Sequence, residues 1–340
     1  MRNFEIRELE KDEQFDPTIL AKNVPFTQAD FYGSWQKHLK RTVKRFTILL
    51  DGETIAYFQI IKYSLLLGKH YFYIPYGPVT KDVSYDFFLF LKKEIKRISK
   101  NENGVFTRLD FTPSVSNSAL SKFFTRAPLY TYHSAYFQPR MEWFLGLGKT
   151  ENELLMDMHE KTRYSIRLAE KKEIRVEIIT EDYEKYLSVF CDLMEGTAKR
   201  NGFSLHTRSY YEHIFKNLEK NNSYLSVAKF GDTILAIDLI IVYSGIANYV
   251  FGGSSNEERN RMPTYLAQWK AICYAKQLNC EYYNFGGIAT DNTIYKGWDG
   301  LTIYKMKFGG EKIGDEGVGP LNSKRPQPVT VRGATIVEGA

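Results

Sequence analysis

Cysteine is scarce in this 340-residue chain, with Cys191, Cys273 and Cys280 making up the whole set. An odd number in apolar surroundings argues against a disulfide framework and fits reduced core residues. The six histidines (His38, His70, His133, His159, His206 and His213) are scattered, and none has metal-ligand spacing to another. No apolar run reaches the roughly 20 residues of a membrane span, and residues 1–5 open no signal-peptide core. A Walker A loop is missing, and no Ser/His/Asp or Cys/His arrangement stands out. The expectation is a soluble, cytoplasmic α/β protein of two domains, with neither a metal nor an organic cofactor implied.

What is present is apolar and aromatic: 43% hydrophobic and 15% aromatic residues, enough for substantial cores. Lys and Arg total 46 against 40 for Asp and Glu, a net charge of +6. That balance suits a phosphate-bearing partner and equally an ordinary basic surface.

One series of elements reads twice. Hairpin signals at Asp51-Gly52 and Gly231-Asp232 are each preceded by a helix, at residues 27–39 and 210–220. Each is followed by a strand (71–76 and 247–251), an amphipathic helix (85–100 and 263–278) and a short strand (107–111 and 281–285). Strand, helix and strand make a parallel crossover, and ligands bind beyond the carboxyl ends of such strands. The layout matches the acetyltransferase-like (GNAT) mixed sheet, used in tandem. A capping-box pattern at Thr150 and Glu153 marks a new helix after the join. The expected domains are 1–145 and 146–314, with 315–340 returning to complete the first and 321–340 ending as a Pro- and Gly-rich tail.

Phe-Gly-Gly occurs at 251–253, 285–287 and 308–310, each time closing a stretch that reads as a strand. Paired glycines there signal bulges, turns with positive φ, or backbone needed close to something else. Residues 301–308 read as a strand with Ile303, Lys305 and Lys307 on one face. Lys305 beside the third pair is placed to offer an ammonium to an oxyanion; a lysine so placed equally guards a strand edge. Asp110 ends the strand equivalent to 281–285 and suits orienting or deprotonating an amine, or capping a turn. Arg163, Arg167 and Lys171 fall on one helix face, with Tyr164 and Leu168 on a neighbouring face that can pack. Such a row suits a polyphosphate or RNA backbone, or a solvated surface balanced by Glu170 and Glu173.

The chain resembles the FemABX group of peptidoglycan-precursor aminoacyltransferases. The resemblance rests on Pro25-Phe-Thr-Gln28, Tyr76-Gly-Pro78, the segment 161–170, Tyr249-Val-Phe-Gly-Gly-Ser-Ser255, Tyr265-Leu-Ala-Gln-Trp269, Tyr283-Asn-Phe-Gly-Gly-Ile288, Lys296-Gly-Trp298 and Lys305-Met-Lys-Phe-Gly-Gly310. It implies two GNAT-like domains in the compact, FemX-like form without a coiled-coil arm. It also implies aminoacyl-tRNA as donor and a UDP-MurNAc-pentapeptide or lipid-linked precursor as acceptor, reached at the inner membrane face. The Gly-rich loop that holds coenzyme A in ordinary GNAT enzymes is missing, in keeping with another acyl carrier. By the resemblance, Lys305 stabilises the oxyanion, Tyr304 is its aromatic neighbour, and Asp110 lies near the acceptor amine. Tyr210, Tyr249 and Tyr76 fall at precursor-binding positions. Two positions depart from the family: His206, with Arg208 close by, stands where a phosphate-gripping arginine is expected, and Gln36, with Lys37 beside it, where a lysine is. Two other readings fit the residues: a GNAT-like N-acyltransferase with a different acyl donor, and an RNA-binding protein using the Arg163 face without chemistry.

Overall fold

The computed structural model describes residues 2–111, 125–126, 138–139, 141–289, 299–314 and 331–337. Lys296-Gly297-Trp298 and most of the 315–340 tail lie outside them. The chain divides into two compact units, residues 1–141 with 313–340, and residues 142–312.

In the first unit, β1 (Phe4–Glu8), β2 (Thr42–Leu50), β3 (Glu53–Ser64) and β4 (His70–Ile74) pair antiparallel in succession. A short β5 (Val79–Thr80) also pairs with β3. Helix α1 (Asp30–His38) precedes the β2–β3 hairpin, and α2 (Tyr85–Asn101) carries the chain across to β6 (Gly104–Phe111), parallel to β4. Ser84 caps α2 by accepting from the Phe87 amide at 3.2 Å. The core follows from two periodicities. Phe46 and Ile48, Phe58 and Ile60, and Phe72 and Ile74 alternate on one sheet face. Phe87, Leu91, Ile95 and Ile98 recur at helical spacing on α2 and cover that face.

The second unit repeats the plan. It contains β8 (Met141–Gly146), β9 (Arg175–Ile179), β10 (Ser223–Phe230), β11 (Thr233–Tyr243), β12 (Ile246–Ser254), β13 (Tyr282–Gly287) and β14 (Glu311–Gly314), β7 (Thr125–Arg126) belonging to the first sheet. Their order is β14-β8-β13-β12-β11-β10-β9, with β12 and β13 parallel and the other pairs antiparallel where register is given. The helices are α3 (Glu151–Asp157), α4 (Glu160–Lys171), α5 (Leu187–Asn201), α6 (Arg208–Phe215), α7 (Pro263–Gln277) and α8 (Asp299–Met306). Helix α7 bridges β12 to β13 and lies close on the sheet, because Ala267 and Ala271 let their carbonyls accept from Ser226 Oγ (2.8 Å) and Tyr224 Oη (2.7 Å). Thr150 and Glu153 form the expected capping box at α3. The strand β15 (Val331–Val337) pairs antiparallel with β6 and β7 of the first sheet.

Of residues 301–308, expected as a strand, 301–306 are helical in α8 and 307–308 form the turn that follows it. Their apolar positions satisfy both periods. Helix is selected by packing: Tyr304 and Phe308, four apart, both meet the Tyr265 ring, at 5.2 and 6.0 Å. Ile303, placed with Lys305 by strand alternation, is instead 52% exposed while Lys305 is 4% exposed.

Candidate active site in the second unit

The parallel register of β12 and β13 runs from Ile246 opposite Tyr282 to Asn248 opposite Asn284, and stops there although β12 continues to Ser254. On its other side β13 pairs with β8 through an irregularity between Asn284 and Gly287, which leaves Gly287 opposite Glu142. Gly286 is the cause, with φ +75°, a conformation that side chains resist. A Cβ there would stand 3.4 Å from the Tyr249 carbonyl oxygen and 3.9 Å from Lys305 Nζ. The turn presents the Gly287 carbonyl to Lys305, whose Nζ donates to it at 2.6 Å. Helix α8 is held on both sides of Lys305: Tyr304 Oη donates to the Thr264 carbonyl at 3.0 Å, and fully buried Phe308 packs on Phe285 at 5.6 Å.

Two further polar groups adjoin this turn. Asn284 accepts from the Gly286 amide at 2.8 Å, donates to Asn248 Oδ1 at 3.2 Å, and hydrogen-bonds Glu142. Burial raises the Glu142 carboxyl to about 7, opposed by Asn284 and by the Lys305 charge. Burial lowers the Lys305 ammonium to about 8, opposed by the Glu142 carboxylate. The pair therefore titrates around neutrality, in the range where acid–base and oxyanion chemistry operate. Deeper on β11, Asp238 is pushed up to about 8 by burial and shares a hydrogen bond with Tyr249. Gly252 leaves the room for it, since a Cβ there would fall 2.0 Å from Tyr249 Oη.

The expected site residues separate by unit. Lys305, Tyr304 and Tyr249 gather with Glu142, Asn284 and Asp238 in the second. His206 and Tyr210 stack at 4.1 Å beside Tyr211 and Phe251, and exposed Arg208 lies 3.7 Å from Glu212 with a hydrogen bond to Ser188. On α4 the positive row is only partly available. Arg163 donates to the carbonyls of Met156 and Met158, and so braces the α3–α4 junction, while Arg167 and Lys171 are exposed. Tyr164, expected on a packing face, is 64% exposed; Thr162, Ser165, Ile166 and Ala169 make the buried face.

In the first unit, Asp110 is buried on β6, accepts from Tyr73 Oη and lies 3.7 Å from Arg108 Nε. Gln36 is buried and accepts from Arg41 at 2.5 Å, which leaves exposed Lys37 as the cation of that pair. Lys37 lines a cavity of about 550 Å³ together with Lys11, Arg41, Lys44 and Arg45. Tyr76 Oη donates to the Pro139 carbonyl at 3.2 Å. Sequence reasoning assigned no role to Glu142, Asn284 or Asp238. Their signal was a polar residue set in an apolar strand, as in Leu-Ala-Ile-Asp-Leu-Ile-Ile at 235–241.

The FemAB family model matches residues 129–231 and 228–319, more than half of the chain. The chain belongs to the FemAB family. Two relatives of this FemAB-family chain are the Lipid II:glycine glycyltransferases of Staphylococcus epidermidis and Staphylococcus aureus, each 26% identical over 53% of it. The match spans 58% and 59% of those relatives' own lengths. Among solved structures, FemX superposes with a TM-score of 0.77 at 19% identity, covering 90% of this chain and 94% of FemX. A tandem GNAT protein of clavulanic acid biosynthesis gives 0.53 at 10% identity, covering 91% and 95%. The fold of this FemAB-family chain is thus the tandem GNAT-like α/β architecture.

Proposed function

We propose that this chain transfers an amino acid from aminoacyl-tRNA to the side-chain amine of a peptidoglycan-precursor stem peptide. The observation that carries the reading is Lys305: an ammonium buried where β12 and β13 part company, hydrogen-bonded to the Gly287 carbonyl and facing Glu142. In this reading the acceptor amine attacks the ester carbonyl, and Lys305 exchanges Gly287 for the developing oxyanion. Collapse forms the amide, breaks the ester and releases the tRNA ribose hydroxyl, which takes up a proton; the amine's own proton leaves to a substrate group or to water. The ester is already activated, so positioning and charge stabilisation supply the rate without a covalent intermediate. The name of the Staphylococcus relatives favours a lipid-linked acceptor, and Tyr210, Tyr249, His206 and Arg208 of the second unit are proposed to bind it.

The test offers the purified chain charged tRNA with either UDP-linked or lipid-linked muramyl-pentapeptide. Transfer to one of them is expected; tight coenzyme A binding without transfer from any charged tRNA would favour another acyl donor. A finer check concerns Glu142. Glu142→Gln removes the negative partner that favours the ammonium, so the Lys305 pKa falls below about 8. The basic limb of the rate profile then moves to lower pH, with little change in the melting curve. An unmoved limb would separate Glu142 from the titration of Lys305.

A further inference from the structure

Between β3 and β4 the chain turns through Leu65-Leu66-Leu67-Gly68-Lys69, and residues 64–69 are all exposed. Leu66 is 88% exposed and Leu67 is 96% exposed, the two highest values among the large apolar side chains described. The turn is tight, with the Leu65 amide donating to the Lys69 carbonyl at 2.8 Å. Leu67 adopts φ +57°, which hairpins ordinarily give to Gly, Asn or Asp. Leucine at this position strains the backbone and adds nothing to the core of its unit, so its apolarity is directed outward. We propose that this tip inserts into the interfacial layer of a bilayer containing anionic lipid.

Three features select a bilayer as the occupant. Three leucine side chains on a convex tip fall far short of the roughly 800 Å² per partner that a stable protein interface takes, whereas a bilayer accepts a protruding apolar wedge. The strands behind the tip carry interfacial side chains: Tyr63 stacks on Tyr71 at 4.8 Å, and Arg41 lies over Tyr63 at 4.4 Å. Charge is complementary as well. From Thr54 to Lys81 the sequence contains no Asp or Glu, and among the described residues Lys69 joins no ion pair, while Lys62 and Lys44 pair with Glu102. This inference stands on the first unit alone and is independent of the reading of the Lys305 site.

The test is sedimentation of the full chain with vesicles of phosphatidylcholine and phosphatidylglycerol in a 3:1 ratio, compared with phosphatidylcholine alone. Binding should favour the anionic vesicles and fall by about tenfold or more in Leu66→Ser/Leu67→Asn, where Asn tolerates the positive φ. The positions are exposed and Asn relieves the strain at φ +57°, so the melting midpoint should not fall. In a second measurement, Leu66→Trp should shift its emission to the blue when the anionic vesicles are added. Failure of the wild type to bind either vesicle, equal binding by the double variant, or an unshifted tryptophan overturns the proposal. So does a double variant that changes only the oligomeric state, since the tip would then join copies of the chain.

Discussion

Lys305→Met should reduce amino-acid transfer by about 10²- to 10³-fold while leaving tRNA binding in place. The loss should fall on kcat, because the ammonium is hydrogen-bonded to Gly287 in the resting protein and, in the proposed mechanism, meets the substrate oxygen only as charge develops. The same substitution should raise stability at neutral pH. The folded-state pKa of about 8 lies below the ordinary 10.5 of lysine. Below pH 8 both states hold the proton, and the folded state bears the full cost of a buried cation. Between 8 and 10.5 the unfolded chain binds more protons, so the wild type gains stability as pH rises through that window. The shift corresponds to about 3 kcal/mol, part of which Met recovers at pH 7. Glu142, left without its cation, would be held more firmly neutral. Urea unfolding at pH 7 and pH 10 alongside a transfer assay checks both halves. A variant that still transfers at the wild-type rate would remove Lys305 from the mechanism.

Gly310→Ala should destabilise the second unit by about 3–5 kcal/mol, among the largest effects available from a single methyl group. Gly310 has φ +97°, and a Cβ there would fall 2.2 Å from the Phe144 carbonyl oxygen. The obstacle is backbone in β8, so no rotamer change relieves it. This turn takes the chain from α8 into β14, which pairs with β8, and the Trp143 indole donates to the Gly309 carbonyl at 2.7 Å. Displacing it disturbs Phe308, Tyr304 and the helix that aims Lys305. The expected signature is a lower urea midpoint together with lost transfer. An unchanged midpoint would show that β8 yields at no cost.

The three Phe-Gly-Gly repeats show how much was legible before the fold was known. Gly286, Gly309 and Gly310 have positive φ, as paired glycines after an aromatic suggest. Gly252 and Gly253 instead lie inside β12, where they make room, Gly252 for Tyr249 and Asp238, Gly253 for the backbone of Leu193 and Met194. Local sequence carries no record of what approaches a glycine from another part of the chain, so the two uses look alike in one dimension.

The duplicated helix, hairpin and crossover, the capping box at Thr150 and the family membership were all legible in order and spacing. Hydrophobic period and turn chemistry are local properties, and they repeat wherever the same unit is built. The helical state of 299–306 and the bracing of Arg163 against Met156 and Met158 were settled by contacts between segments distant in sequence or by neighbouring turns. The electrostatic coupling of Lys305 to Glu142 belongs to the same class, as the two lie more than 160 residues apart on different elements. A carboxylate and an ammonium acquire their charge states from burial and from each other, and neither exists until the sheet and α8 have packed.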